Sequence, residues 1–222
     1  MGIAQRGIIA ASLAAFLSWY LFGMGMAPGL VPSLLKGAGV ALLAVLAVMQ
    51  SRGANGQFLA AVLALGAAGD MAIEHSQVAG AAFFLVGHLV AACLYLHNRR
   101  EVTSVSQNAL AIALLLVIPL IAFAMPSDRT MAPLTALYAL ALAAMASSAW
   151  TSRFSRYRVG IGAMLFVASD LLIFARMGPL AQSRIPGMLI WPLYYCGQYL
   201  ICIGVLRGDQ APGNSTDPSP SR

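Results

Sequence analysis

Two aspartates interrupt the most apolar stretches of the chain. Asp70 falls within LALGAAGDMAIEH (63–75) and Asp170 within MLFVASDLLIF (164–174). Lys36 and His88 lie in comparable apolar runs, as do Tyr138, Tyr195 and Gln198. An ionisable group surrounded by hydrocarbon is costly and marks a functional site until shown otherwise. Two carboxylates in unlike environments can divide acid and base work, one holding a proton while the other stays ionised. Each residue also has a structural alternative. Asp70 at a helix end reaches water, Asp170 forms an ion pair with Lys36 or Arg176, and Lys36 snorkels to the surface. His88 hydrogen-bonds between helices, and the tyrosines pack. Glu74 and His75 fall in a connection and are expected to be solvated.

The elements that must position these residues follow from composition. Of the 222 residues, 60% are hydrophobic and 9% charged, with a mean hydropathy of +0.81. A soluble domain carries about 25% charged residues, so this chain cannot cover a water-facing surface and belongs in a membrane. Runs of about 20 apolar residues predict an all-α, polytopic protein with eight transmembrane helices, near 7–26, 29–49, 56–73, 79–97, 107–125, 131–151, 158–177 and 187–206. The breaks carry turn chemistry, among them QSRGANG, PSDR and GPLAQSRIPG. The first run is longer than the apolar core of a signal peptide, and it is read as a retained helix. Residues 1–206 form one transmembrane domain. The Pro-, Gly- and Ser-rich tail 207–222 is expected to be disordered. Cys93, Cys196 and Cys202 form no CxxC pair and read as buried hydrophobes.

Eight crossings place both termini on one side. Nine of the thirteen Lys and Arg residues fall on that side (Arg6, Arg52, Arg99, Arg100, Arg153, Arg156, Arg158, Arg207 and Arg222), and four on the other. This predicts cytoplasmic termini in an inner or plasma membrane. The net charge of +6 comes from residues scattered singly or in short groups, so nucleic acid is not an expected partner. AAGD (67–70) matches VASD (167–170), Pro32 matches Pro133, and GH (87–88) matches GQ (197–198). These matches suggest two parallel four-helix repeats. Depth, counted at about 1.5 Å per residue, places Lys36, Asp70, His88, Tyr138, Asp170, Tyr195 and Gln198 in one layer of the outer half of the bilayer. That layer predicts a single polar pocket.

These residues carry a resemblance. PSLLK with Lys36, GD with Asp70, GH with His88, Tyr138, LFVASD with Asp170, and YYCGQYLI with Tyr195 and Gln198 resemble, in order and spacing, the YhhN family of membrane proteins, whose characterised members are lysoplasmalogenases. The likeness covers nearly all eight helices. Departures are Gly87 and Gly197, where the family often has Ala, and Ala91, where Tyr is common. The resemblance implies hydrolysis of the vinyl ether of a lysoplasmalogen to a fatty aldehyde and a glycerophospho-alcohol. Such a reaction protonates the outer vinyl carbon, adds water to the oxocarbenium-like cation, and collapses a hemiacetal. It needs a proton donor, a group to activate water, and negative charge near the cation. Asp70 is then expected as the acid, with Asp170, near Lys36, as base or cation stabiliser. His88 shuttles a proton or orients an aspartate. Lys36 alternatively binds the substrate phosphate, while Tyr138, Tyr195 and Gln198 position headgroup or water.

No cofactor or metal is needed, although His88 with both aspartates leaves a zinc site open as an alternative. The expected partners are a lysophospholipid substrate and the bilayer, with no obligate protein partner. The rival reading is a proton-coupled transporter of lipid or small molecules, since an Asp/Lys/His cluster also suits transport. The inner halves of the second, fourth and sixth helices are almost wholly apolar, which favours a one-sided site.

Overall fold

The computed structural model describes residues 2–27, 29–51 and 53–210. Its helices are α1 (Ile3–Leu21), α2 (Leu30–Gln50), α3 (Ala54–Ile73), α4 (Gln77–His97), α5 (Val105–Ala124), α6 (Ala132–Thr151), α7 (Ile161–Arg176) and α8 (Ile185–Gln210). A short 3₁₀ turn, Gly23–Gly25, follows α1, and a π turn, Arg156–Gly160, leads into α7. All eight, with α7 counted together with its π turn as Arg156–Arg176, are long and apolar enough to cross a membrane, and no strand forms among the described residues. This is the eight-span, all-α architecture that the apolar runs predict.

Local chemistry sets the helix starts. The Ser76 hydroxyl accepts from the Ala79 amide at the head of α4, and Ser104 and Gln107 bond reciprocally as a capping box at the head of α5. Pro133 occupies the first turn of α6, where its missing N–H does no harm. Pro192 lies inside α8 and removes the amide that would bond the Met188 carbonyl. The Tyr20 hydroxyl of α1 donates to that carbonyl instead, at 3.2 Å. In lipid a freed backbone group must find such a substitute.

The helices pack as consecutive antiparallel neighbours: α1 on α2, α2 on α3, α3 on α4, α5 on α6 and α7 on α8. The halves join where α4 packs on α6 and where α8 lies against α2 and α3. Only 22% of the α1 span and 17% of the α5 span is buried, against 61% for α6 and α8, so α1 and α5 are peripheral and α6 and α8 central. Exposed leucines such as Leu116, Leu120, Leu134 and Leu137 give an apolar outer surface, as lipid contact requires. Small residues set the crossing of α7 on α8. A Cβ on Gly162 would lie 2.8 Å from the Gly197 carbonyl oxygen, and one on Gly197 would lie 2.7 Å from the Gly162 oxygen, so α7 and α8 touch backbone to backbone.

One boundary differs from expectation. The segment expected to be disordered from 207 begins as helix, because α8 continues to Gln210. Asn55 donates to Asp209 Oδ1 at 2.9 Å, Asn98 donates to Asn55 Oδ1 at 2.7 Å, and Phe154 packs on Gly208. Those contacts come from distant segments and give the polar last turn its anchor. Residues 211–222, the rest of the tail, lie outside the described residues, as does Arg52 of the charge count. Eight crossings put residues 2 and 210 at one end of the bundle, called here the terminal end. The 74–76, 125–131 and 177–184 connections mark the distal end.

Candidate active site

The bundle interior holds two carboxylates in its distal half, each tied to a tyrosine. Asp170 of α7 accepts a hydrogen bond from the Tyr138 hydroxyl of α6 at 2.9 Å through Oδ2. His88 of α4 brings Nε2 to 3.1 Å from the same hydroxyl and 3.5 Å from Asp170 Oδ2. Tyr138 spends its proton on Asp170, so its oxygen is an acceptor for His88 Nε2–H. The imidazole, phenol and carboxylate therefore form a continuous hydrogen-bonded chain across α4, α6 and α7. His88 and Asp170 are both buried.

The second arm is built on α3 and α8. Asp70 is buried and accepts from the Tyr194 hydroxyl at 2.9 Å, also through Oδ2. The Gln198 amide, one turn along α8, hydrogen-bonds Tyr194 in turn. Gly66, one turn before Asp70 on α3, permits this. A Cβ there would stand 2.9 Å from Gln198 Nε2 and 3.1 Å from Tyr194 Oη. The two arms of the site meet at one aromatic residue of α7. Phe166 sits between them, with its ring 4.9 Å from His88 and 5.1 Å from Tyr194, and Phe84 packs edge-on to Tyr194 at 5.6 Å.

Above the second arm, toward the distal end, Lys36 Nζ pairs with Glu74 Oε1 at 2.6 Å. The ammonium also lies over the Trp19 and Trp191 rings, at 5.2 and 6.0 Å from their centroids. Both charged side chains keep about a fifth of their surface exposed (18% and 19%). This pair is the partly exposed rim of the cluster.

Of the residues singled out in the sequence, Asp70, Asp170, His88, Tyr138 and Gln198 come together, with Lys36 at the rim. Three expectations change. Tyr195 does not face the carboxylates. Its hydroxyl is 2.7 Å from Ser12 Oγ and its ring stacks on Phe16 at 4.3 Å, so it fastens α8 to α1. Its neighbour Tyr194 takes the position instead, since successive residues on a helix point about 100° apart. Lys36 stands beside Asp70 and Glu74, not beside Asp170, because α2 packs on α3 and α8 rather than on α7. Glu74, expected to be solvated, is the partner that balances Lys36. Tyr194 was legible as half of a YY pair, and Glu74 as the residue one turn beyond Asp70. Neither pattern told which partner each would meet. Among the described residues no three His, Cys, Asp or Glu side chains group as metal ligands would.

The fold and site together define a polytopic helical membrane protein that holds a set of ionisable groups away from water in one half of its bundle. The family model of the YhhN family matches residues 31–205, from the start of α2 almost to the end of α8, and the chain belongs to that family. No curated protein and no solved structure matches it.

Proposed function

We propose that the protein is a membrane-embedded hydrolase that cleaves the vinyl ether of a lysoplasmalogen to a fatty aldehyde and a glycerophospho-alcohol. The observation that carries this reading is the pair of buried carboxylates in unlike settings. Asp70 lies below a neutralised lysine, and Asp170 terminates an imidazole–phenol relay. That asymmetry suits one proton donor and one proton acceptor. Asp70 donates a proton to the outer vinyl carbon. The resulting cation forms between the two arms, where Asp170 supplies negative charge. Water adds to the carbon bearing the ether oxygen and loses a proton toward Asp170. The hemiacetal then collapses to aldehyde and alcohol, and the proton gained by Asp170 equals the one Asp70 must regain. The headgroup phosphate binds at Lys36, while Glu74 and the Trp19–Trp191 pair hold the rim open to the bilayer surface. The charge count supports cytoplasmic termini, which would open the rim to the outer leaflet.

The test is aldehyde release from a lysoplasmalogen by protein purified in detergent. Removing a general acid or base costs about 10²–10⁴-fold in rate, so Asp70→Asn and Asp170→Asn are each expected to lose at least about 100-fold in kcat while remaining folded. A wild-type protein that releases no aldehyde would sink the substrate assignment and turn attention to proton-linked transport through the same polar cluster.

A further inference from the structure

A small cavity lies on the terminal side of the two carboxylates, among α3, α4, α6, α7 and α8. About 10 Å³ of it is open to the centre of a water-sized sphere, room for a single water. Each arm of the site contributes to its wall, His88 from the Asp170 arm and Gln198 from the Asp70 arm. Tyr95, two turns beyond His88 on α4, lines it as well, and Phe84 and Phe166 supply apolar sides.

Two polar atoms of these lining residues have no partner within the protein: Tyr95 Oη and Gln198 Oε1. Both residues are only 1% exposed. The Gln198 orientation is set by its neighbour. Tyr194 donates its proton to Asp70, so its oxygen takes a donor, and the Gln198 amide nitrogen is the one at hand. Its carbonyl oxygen is thereby left over as an acceptor. An unsatisfied buried acceptor and hydroxyl are both destabilising, and one water on two such groups removes both penalties.

We propose that this cavity holds the water that adds to the substrate, with Tyr95 and Gln198 as its positioning residues; the assignment rests on the hydrolytic reading above. The water accepts from Tyr95 Oη–H and donates one hydrogen to Gln198 Oε1. Its other hydrogen is available to His88 Nδ1. As the water oxygen bonds to the cationic carbon, that proton passes to Nδ1, the Nε2 proton passes to Tyr138, and the Tyr138 proton passes to Asp170. One O–H bond breaks, one C–O bond forms, and one proton arrives on the carboxylate. The cavity thus gives the relay its starting point and joins the two arms through a single molecule.

The test uses the full chain in detergent, wild type beside Tyr95→Phe. A structure resolving ordered waters is expected to show one within hydrogen-bond distance of Tyr95 Oη and Gln198 Oε1, and to lose it in Tyr95→Phe. Loss of one anchoring hydrogen bond predicts a kcat lower by about tenfold, with KM unchanged and a small fall in melting temperature, because Gln198 Oε1 loses its water. A merely structural tyrosine would lower the melting temperature and leave kcat alone. Wild-type turnover with a dry cavity, or Tyr95→Phe with wild-type kcat, overturns the water assignment alone. A wild type that releases no aldehyde overturns the hydrolytic reading and removes the catalytic role of the water with it.

Discussion

Tyr194 and Tyr195 are chemically identical neighbours with separate tasks. The Tyr194 hydroxyl holds Asp70, whereas that of Tyr195 meets Ser12, which also donates to the Gly39 carbonyl at 2.6 Å. Removing each hydroxyl should separate function from stability. Tyr194→Phe leaves Asp70 without its phenol donor and is expected to lower kcat by about tenfold or more. Tyr195→Phe removes one bond between α1 and α8, and Ser12 keeps its other partner. A stability loss of about 0.5–1.5 kcal/mol is expected there, with aldehyde release close to wild type. Both are read by thermal unfolding and turnover on the same samples. Equal kinetic losses in the two variants would contradict the placement of these rings.

Helical stripes organise the site at the next scale. Gly66 and Asp70 on α3 and Glu74, its C-cap, lie at four-residue spacing. His88, Ala91 and Tyr95 line one face of α4, and Trp191, Tyr194 and Gln198 one face of α8. Such stripes act together only if the helices approach closely, and glycine sets the approach at the α7–α8 crossing. Gly197→Ala would place a methyl 2.7 Å from the Gly162 oxygen and 3.2 Å from the Phe166 amide. Both neighbours are backbone and cannot swing away. A loss of about 1–3 kcal/mol is expected, as for other overpacking changes. Gly87→Ala is the contrasting control. Its nearest contact would be Leu65 Cβ at 3.6 Å, an ordinary distance, so its effect should stay within about 0.5 kcal/mol. Thermal unfolding of the two variants in detergent gives the comparison.

For the whole molecule the decisive feature is asymmetry across the membrane. Both carboxylates, Tyr138 and the Lys36–Glu74 rim lie in the distal half and His88 at the middle of α4, while the Asn55, Asn98 and Asp209 network ties the terminal end. With cytoplasmic termini, a cysteine placed at the exposed Gln77 should react with a membrane-impermeant maleimide added outside intact cells. One placed at the exposed Val102 should react only after the membrane is opened. The reverse pattern would turn the site toward the cytoplasm and change the leaflet that supplies the lipid. The natural Cys93 and Cys196 lie within membrane spans, and a wild-type sample gives their background.

By itself the sequence determined the number of spans, since a stretch of apolar residues long enough to cross a bilayer needs no tertiary information to be recognised. It also determined depth, because position along a helix converts directly to distance along its axis. That is why Asp70, Asp170, His88, Tyr138 and Gln198 were legible as one layer. Only the tertiary structure decided azimuth and partnership: Tyr194 rather than Tyr195 on Asp70, Glu74 rather than a carboxylate of α7 on Lys36, and Tyr95 beneath the relay. These depend on which helix faces which, and on crossings set by backbone contacts such as Gly162 with Gly197. An apolar stretch that is hydrophobic all round carries little record of its inward face, so the packing of the bundle had to supply it.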